Sequence, residues 1–226
     1  MTTSTLDQLC GKTDEHIAVE GDHAGILHQQ VVEPFEALKT KAASAGFDLR
    51  IASGYRSFDR QLAIWNAKAC GERPVLDDTS CAVDVNSLTE IETVQAILRW
   101  SALPGTSRHH WGSDFDVYDA ASVDADYQVQ LIPEETKDGG VFAGMHRWLD
   151  EVLPKTDFFR PYEKDLGGTG PEPWHLSYEP VASKYAQQSS PATILSAFEG
   201  VEIELRDAIS ENIEMIFQRY IALPQS

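Results

Sequence analysis

The chain has 226 residues, 42% of them hydrophobic, with 36 Asp plus Glu against 18 Lys plus Arg and a formal net charge of -18. That length suits one core-bearing domain with a helical appendage, and the sign of the charge excludes binding to a phosphate backbone by counterion release. Three cysteines, Cys10, Cys70 and Cys81, form no CxxC pair and leave at least one thiol unpaired, which fits a reducing compartment, although a Cys70 to Cys81 bridge stays open. The N-terminal stretch shows no basic and apolar export signal, and no run of 18 apolar residues occurs. The expectation is a chain without a transmembrane segment, with the cytoplasm favoured over the periplasm or release.

In chain order, residues 24–46 place Ile26, Leu27, Val31, Phe35, Leu38 and Ala42 near helical spacing, which predicts an amphipathic helix bent at Pro34 and stopped by Gly46. Phe47, Leu49 and Ile51 then alternate with Asp48, Arg50 and Ala52, a short strand that leaves Arg56 just beyond its end. Ser57 reads as the N-cap of a helix carrying Leu62, Ile64, Trp65 and Ala69, and Thr89 with Glu92 as the capping box of another. In WGSDFDVYD, Asp114, Asp116 and Tyr118 share one strand face while Phe115 and Val117 share the other. A helix over VFAGMHRWLDEVLP follows, then two strands, DFFRPYE and PEPWHLSYE, joined as a hairpin through GGTG. From Ser190 the pattern is helical twice over, broken near Gly200.

The chemistry concentrates in SRHHWGSDFD, residues 107–116, and in EPWH, residues 172–175. A catalytic zinc takes three ligands from neutral imidazole and carboxylate and keeps one position open. His109 precedes Asp116 by an odd offset, so the two cannot share one face of a single strand, and a turn at Gly112 is required. On residue chemistry alone His110 or Asp114 serve as well as His109 or Asp116. Glu172, three residues before His175, is spaced to lie near a metal-bound water as a base without being a ligand. His16, His23, His28 and His146 stand alone and read as surface or satisfied core histidines.

SGYRS (53–57), SRHHWGSDFD and EPWHLSY (172–178) together resemble the VanY-type zinc D,D-carboxypeptidases, a group related to VanX dipeptidases and the hedgehog signalling domain. The family pattern SxHxxGxxxD is matched by Ser107, His109, Gly112 and Asp116, and ExxH by Glu172 and His175. The resemblance implies that His109, Asp116 and His175 hold Zn2+, that Glu172 is the catalytic base and that Arg56 stabilises the oxyanion. It implies substrate contacts for Ser107 and Gln61, and it leaves His110 and Asp114 outside the ligand set, Asp114 as a group that orients a ligand histidine.

The expected fold is α+β, a small antiparallel sheet with flanking helices forming a zinc cleft, over residues 1–185, with a C-terminal helical extension over 186–226 packed on the same domain. The expected function is a metallopeptidase acting on peptidoglycan stem or muramyl peptides, removing terminal D-Ala from D-Ala-D-Ala. The rivals are an L,D-carboxypeptidase, an endopeptidase on stem peptides, and a non-catalytic zinc-containing binding module.

Overall fold

A computed structural model of the chain describes residues 5–79 and 81–222. The outermost residues of the two expected segments, 1–4 and 223–226, lie outside the described residues. Among the described residues there are six strands: β1 (Leu49–Ser53), β2 (Val75–Leu76), β3 (Ala82–Val83), β4 (Asp114–Asp119), β5 (Phe158–Phe159) and β6 (His175–Tyr178). Four of them form one antiparallel sheet in the order β1-β4-β6-β5, and β2 pairs with β3 in a separate hairpin. The architecture is thus mixed helix and small antiparallel sheet, as expected.

The alternation read in β4 is what makes this sheet two-faced. Phe115 and Val117 are fully buried and join Leu49, Leu176 and Phe158 in the core, while Asp114 and Asp116 project to the opposite side. Each large apolar side chain so buried stabilises the fold by about 1.5–3 kcal/mol relative to exposure. The helix Phe58–Ala69 begins where expected, with the Ser57 hydroxyl accepting from the Arg60 N–H at 3.3 Å. The helix Glu90–Leu98 carries the complete capping box of Thr89 and Glu92.

The first long helix differs from its expected extent. It spans Val32–Ser44 rather than 24–46, with Pro34 in its first turn instead of at a mid-helix bend. A proline has no N–H to donate and its ring blocks the carbonyl four residues back, so it is tolerated in a first turn and not beyond it. Residues 24–31 form turns instead, with an isolated β-bridge between His28 and Ile17. The hairpin β5/β6 is present with the register Phe158↔Tyr178, but its strands are shorter than expected because residues 160–174 leave the sheet as one long connection.

The C-terminal segment forms the helix Pro191–Ala197, a turn at Gly200 with φ +70°, and helical turns over Arg206–Glu211, Ile213–Ile216 and Phe217–Ile221. Ile194, Phe198, Ile209 and Ile216 enter the same hydrophobic cluster as Trp65 and Leu98. Trp65 Nε1–H donates to the Glu204 carbonyl at 3.1 Å, and Asn66 exchanges hydrogen bonds with the backbone of Glu202 and Glu204. The three cysteines are free thiols, Cys10 buried and Cys70 and Cys81 exposed, so the Cys70 to Cys81 bridge left open by the sequence is not formed. Among the described residues no helix is long and apolar enough to cross a membrane.

Candidate active site

Strand register builds most of the site. Asp116 on β4 lies directly opposite His175 on β6 and, on its other side, opposite Ser53 at the end of β1, so three polar side chains form a row across one face of the sheet. His109 reaches the same face from the 3₁₀ turn Arg108–Trp111, because Gly112 adopts φ +62° and reverses the chain into β4. The turn is held from behind by the N-terminal segment. His16 Nε2–H donates to the His110 carbonyl at 2.8 Å, the His28 N–H to the Gly112 carbonyl at 2.8 Å, and Trp111 Nε1–H to the Leu9 carbonyl at 3.0 Å.

One ligand-capable atom from each of His109, Asp116 and His175 lies within 4.8 Å of the other two, and all three residues are buried. His109 Nε2 is 3.5 Å from Asp116 Oδ2, and His175 Nδ1 is 3.1 Å from Asp116 Oδ1. The remaining ring nitrogens are both engaged. His109 Nδ1–H donates to the Gly54 carbonyl at 3.0 Å, and His175 Nε2–H donates to Asp114 Oδ1 at 3.3 Å. A carbonyl can only accept, so Nε2 of His109 keeps its lone pair toward the site. Two oriented imidazole nitrogens and a carboxylate oxygen are the donor set that a catalytic zinc takes from a protein, each histidine fixed by an acceptor on its far side. The structure therefore brings together the three residues that the resemblance implied, and it puts His110 elsewhere.

The electrostatics fit a divalent cation. Burial opposes charge on His175, yet its hydrogen bonds to Asp114 and Asp116 and their negative charges outweigh this and push it up to about 10. Three carboxylates, Asp114, Asp116 and Glu172, surround that one imidazole, a surplus of negative charge that a doubly charged ion would neutralise. Burial pushes His109 down to about 3, so it stands neutral as a ligand must. Asp114, despite a burial that works the other way, is held down to about 2 by the Arg108 guanidinium, His175 and Ser113.

Glu172 lies at the end of the long connection, its N–H donating to the Tyr162 carbonyl at 2.9 Å and its Oε2 3.5 Å from His175 Nδ1. Its side chain is 17% exposed. Burial pushes it up to about 7, His175 and Arg56 pulling the other way. Arg56 follows β1 and is fixed by two bonds, Nη1 to Gln61 Oε1 at 2.9 Å and Nη2 to Ser53 Oγ at 3.1 Å. Both Arg56 and Glu172 line a cleft of about 440 Å³ that also contains His109, Asp116 and His175.

Ser107 lines this cleft, whereas Gln61 does not. Gln61 is fully buried, with Oε1 accepting from Arg56 and Nε2 donating to the Ala102 carbonyl at 2.7 Å. Both ends of its amide are thus committed, and it braces Arg56 from behind. His110 is also fully buried, Nδ1–H donating to the Arg56 carbonyl at 2.6 Å and Nε2 accepting the Gly105 N–H at 3.1 Å. It ties the turn after β1 to the 3₁₀ turn.

Sequence reasoning passed over Arg108, whose Nε donates to Asp114 Oδ1 at 2.6 Å and whose Nη2 donates to Ser177 Oγ at 2.7 Å beneath the site. An arginine beside two histidines carries no signal of its own, since its second partner arrives only through the β4/β6 pairing. Lys68, Arg73, Trp100, Tyr162 and Tyr220 line the cleft and were not singled out as site residues either.

Comparison with known proteins gives the family and the fold. The family model described as VanY, D-alanyl-D-alanine carboxypeptidase, matches residues 25–181. An uncharacterized protein of Haemophilus influenzae is 46% identical over 102 residues, covering 44% of this chain and 70% of its own. A D-alanyl-D-alanine carboxypeptidase of Enterococcus faecalis is 26% identical over 133 residues, 57% of this chain and 39% of that protein. The solved structure of a variant of the vancomycin-resistance D,D-pentapeptidase VanY in complex with Zn(II) shares the fold, with a TM-score of 0.51 and 20% identity over 87% of this chain and 92% of that one. The chain belongs to the VanY family of D-alanyl-D-alanine carboxypeptidases.

Proposed function

We propose that this protein is a zinc D,D-carboxypeptidase that removes the terminal D-alanine from D-Ala-D-Ala stem peptides of the bacterial cell wall. The observation that carries the reading is the convergence of His109, Asp116 and His175 within 4.8 Å, with Glu172 Oε2 at 3.5 Å from His175 Nδ1. His109 Nε2, His175 Nδ1 and an Asp116 oxygen would hold the ion. When bound, zinc supplies Lewis acidity to the scissile carbonyl and to the attacking water.

The chain's own groups move the protons. Glu172 Oε2 takes a proton from the water as its oxygen adds to the carbonyl carbon, then delivers that proton to the amine as the C–N bond breaks. A carboxyl pushed up to about 7 both accepts and releases a proton near neutrality. The Arg56 guanidinium faces the oxygen on which negative charge develops, pre-set by Gln61 and Ser53, so little reorganisation is needed as the charge forms. Ser107 contacts the substrate from the cleft wall.

The test is incubation of the zinc-loaded protein with muramyl pentapeptide, muramyl tetrapeptide and cross-linked muropeptides, with products followed by mass spectrometry. Loss of one alanine from the pentapeptide is expected. Release of the last residue from the tetrapeptide instead would make it an L,D-carboxypeptidase, a cut within the cross-link an endopeptidase, and no cleavage a binding module. Glu172→Gln keeps the metal and loses at least about 10²-fold in rate.

A further inference from the structure

Outside the metal face, the cleft wall carries a second concentration of charge, and it is positive. Lys68 and Arg73 line the cleft together with Arg56. Lys68 and Gln61 stand seven residues apart on the helix Phe58–Ala69, so they share one face, about 10 Å apart along the axis. That face turns Gln61 toward Arg56 and carries Lys68 further along the same wall. Arg73 follows from the loop after this helix, its N–H donating to the Ala67 carbonyl at 2.9 Å. None of Arg56, Lys68 and Arg73 forms an ion pair among the described residues.

This is unexpected in a chain with twice as many acids as bases. Asp116 and Glu172 belong to the metal face of the cleft, and Asp77, the third acid lining it, is turned into its own loop, where Oδ1 accepts from the Thr79 N–H and hydroxyl and from the Cys81 N–H. Burial, and then the charges of Arg73 and Arg56, push Lys68 down to about 8, with Glu172 pulling the other way. Like charges gathered without an ion pair in contact destabilise the fold, so a ligand that supplies the anion is favoured there by both attraction and relief of repulsion.

We infer that Lys68 and Arg73 form a second anionic subsite, which takes a side-chain carboxylate of the substrate peptide, distinct from the group at the scissile bond. The inference rests on the carboxypeptidase reading above, since it concerns the same cleft. Arg56 is committed to the reacting end by its bonds to Gln61 and Ser53, whereas Lys68 and Arg73 make no side-chain hydrogen bond among the described residues. A peptide carboxylate fits better than a phosphate, because Trp100, Tyr220, Leu98 and Ile132 line the same cleft and offer apolar surface. Such a wall suits the aliphatic parts of a peptide. The substrate class is therefore a D-Ala-D-Ala peptide whose preceding residue bears a free carboxylate.

Two peptides test this, identical except that the residue before D-Ala-D-Ala carries a side-chain carboxylate in one and the corresponding carboxamide in the other. The zinc-loaded full chain is expected to favour the carboxylate peptide by about tenfold in kcat/KM, expressed through KM. In the double variant Lys68→Met with Arg73→Gln the ratio falls to near one. Any effect of Lys68 on Glu172 acts on both peptides and cancels in the ratio. Equal use of the two peptides by the unaltered chain, or a preference that survives the double variant, overturns the inference.

Calorimetric binding of both peptides to Glu172→Gln gives the same ratio without turnover. If neither peptide is cleaved, the carboxypeptidase reading fails while the subsite is still decided by binding. Inorganic pyrophosphate displacing the carboxylate peptide at lower concentration than glutarate does would assign the cations to a phosphate ligand instead.

Discussion

His175 Nε2 lies 3.3 Å from Asp114 Oδ1 while Nδ1 of the same ring lies 3.1 Å from Asp116 Oδ1, so two aspartates two residues apart on β4 grip opposite ends of one imidazole. Both project from the same strand face, and the β6 register sets His175 opposite Asp116. Asp114 is itself anchored by Arg108 Nε at 2.6 Å and the Ser113 hydroxyl at 2.6 Å. It thereby fixes which nitrogen of His175 is offered to a metal.

Asp114→Asn is expected to weaken zinc affinity by about 10- to 100-fold, because the amide is a poorer acceptor and no longer locks the tautomer. Thermal stability falls as well, since Arg108 loses its buried counterion. Competition with a chromophoric chelator, at a temperature where circular dichroism shows the variant folded, measures the affinity. An unchanged affinity would remove Asp114 from any orienting role.

His110 separates from His109 in the same way. Its two ring nitrogens bond the Arg56 carbonyl and the Gly105 N–H, on the side of the 3₁₀ turn away from the ligand atoms. His110→Ala leaves two buried backbone groups unsatisfied and opens a cavity, a loss of about 2–4 kcal/mol in urea unfolding. Elemental analysis of the folded variant should still find a single zinc per chain. A folded, zinc-free His110→Ala would make His110 a ligand.

How much of this was legible in the chain follows from where each signal lives. Alternation in β4, the caps at Ser57 and Thr89 and the need for a turn at Gly112 are local, so residues 57–69, 89–98 and 112–119 take the predicted forms. His109 against His110 was not decidable from spacing, because both lie within one 3₁₀ turn and only the carbonyls of Gly54 and Arg56 distinguish them. The substrate contact for Gln61 came from the resemblance alone, and spacing gives no sign of its bond to the Ala102 carbonyl, which depends on the segment after the helix Glu90–Leu98 packing beside it. The cationic wall was invisible for another reason: Arg56, Lys68 and Arg73 are near in sequence but stand beyond a strand end, on a helix and in a loop, and only the fold turns all three to one cleft.

Gly112 can be tested against a matched control. A Cβ there would stand 2.5 Å from Ile17 Cδ1 and 2.7 Å from the His28 nitrogen, on a backbone with φ +62°. Gly21 has φ +82° with nothing near it. Gly21→Ala thus carries backbone strain alone, about 1 kcal/mol, and Gly112→Ala carries that plus a clash with backbone that clamps the motif turn. The expected result is a melting temperature lowered markedly more by Gly112→Ala, with zinc affinity reduced only in that variant. Equal effects of the two substitutions would mean that the N-terminal segment does not hold the turn.

His146 predicts a limb of the stability curve in acid. It is buried on the helix Ala143–Val152, with Nδ1 accepting from Arg160 Nη2 at 3.3 Å and Nε2 without a partner among the described residues. Burial and then the Arg160 charge push it down from 6.5 to about 4, with Asp150 opposing. The unfolded chain therefore binds a proton between about pH 6.5 and pH 4 that the folded chain refuses. Stability on this account is intact above pH 6.5 and falls as the pH drops, by at most about 1.4 kcal/mol per pH unit, levelling below pH 4. His146→Asn keeps an acceptor for Arg160 and cannot titrate. Between pH 7 and pH 4.5, urea unfolding should show the unaltered chain losing at least about 1 kcal/mol more than this variant. The other buried histidines whose protonation is suppressed, His16, His28, His109 and His110, are common to both proteins and drop out of the difference. Parallel losses in the two proteins would show that His146 is protonated without cost in the fold.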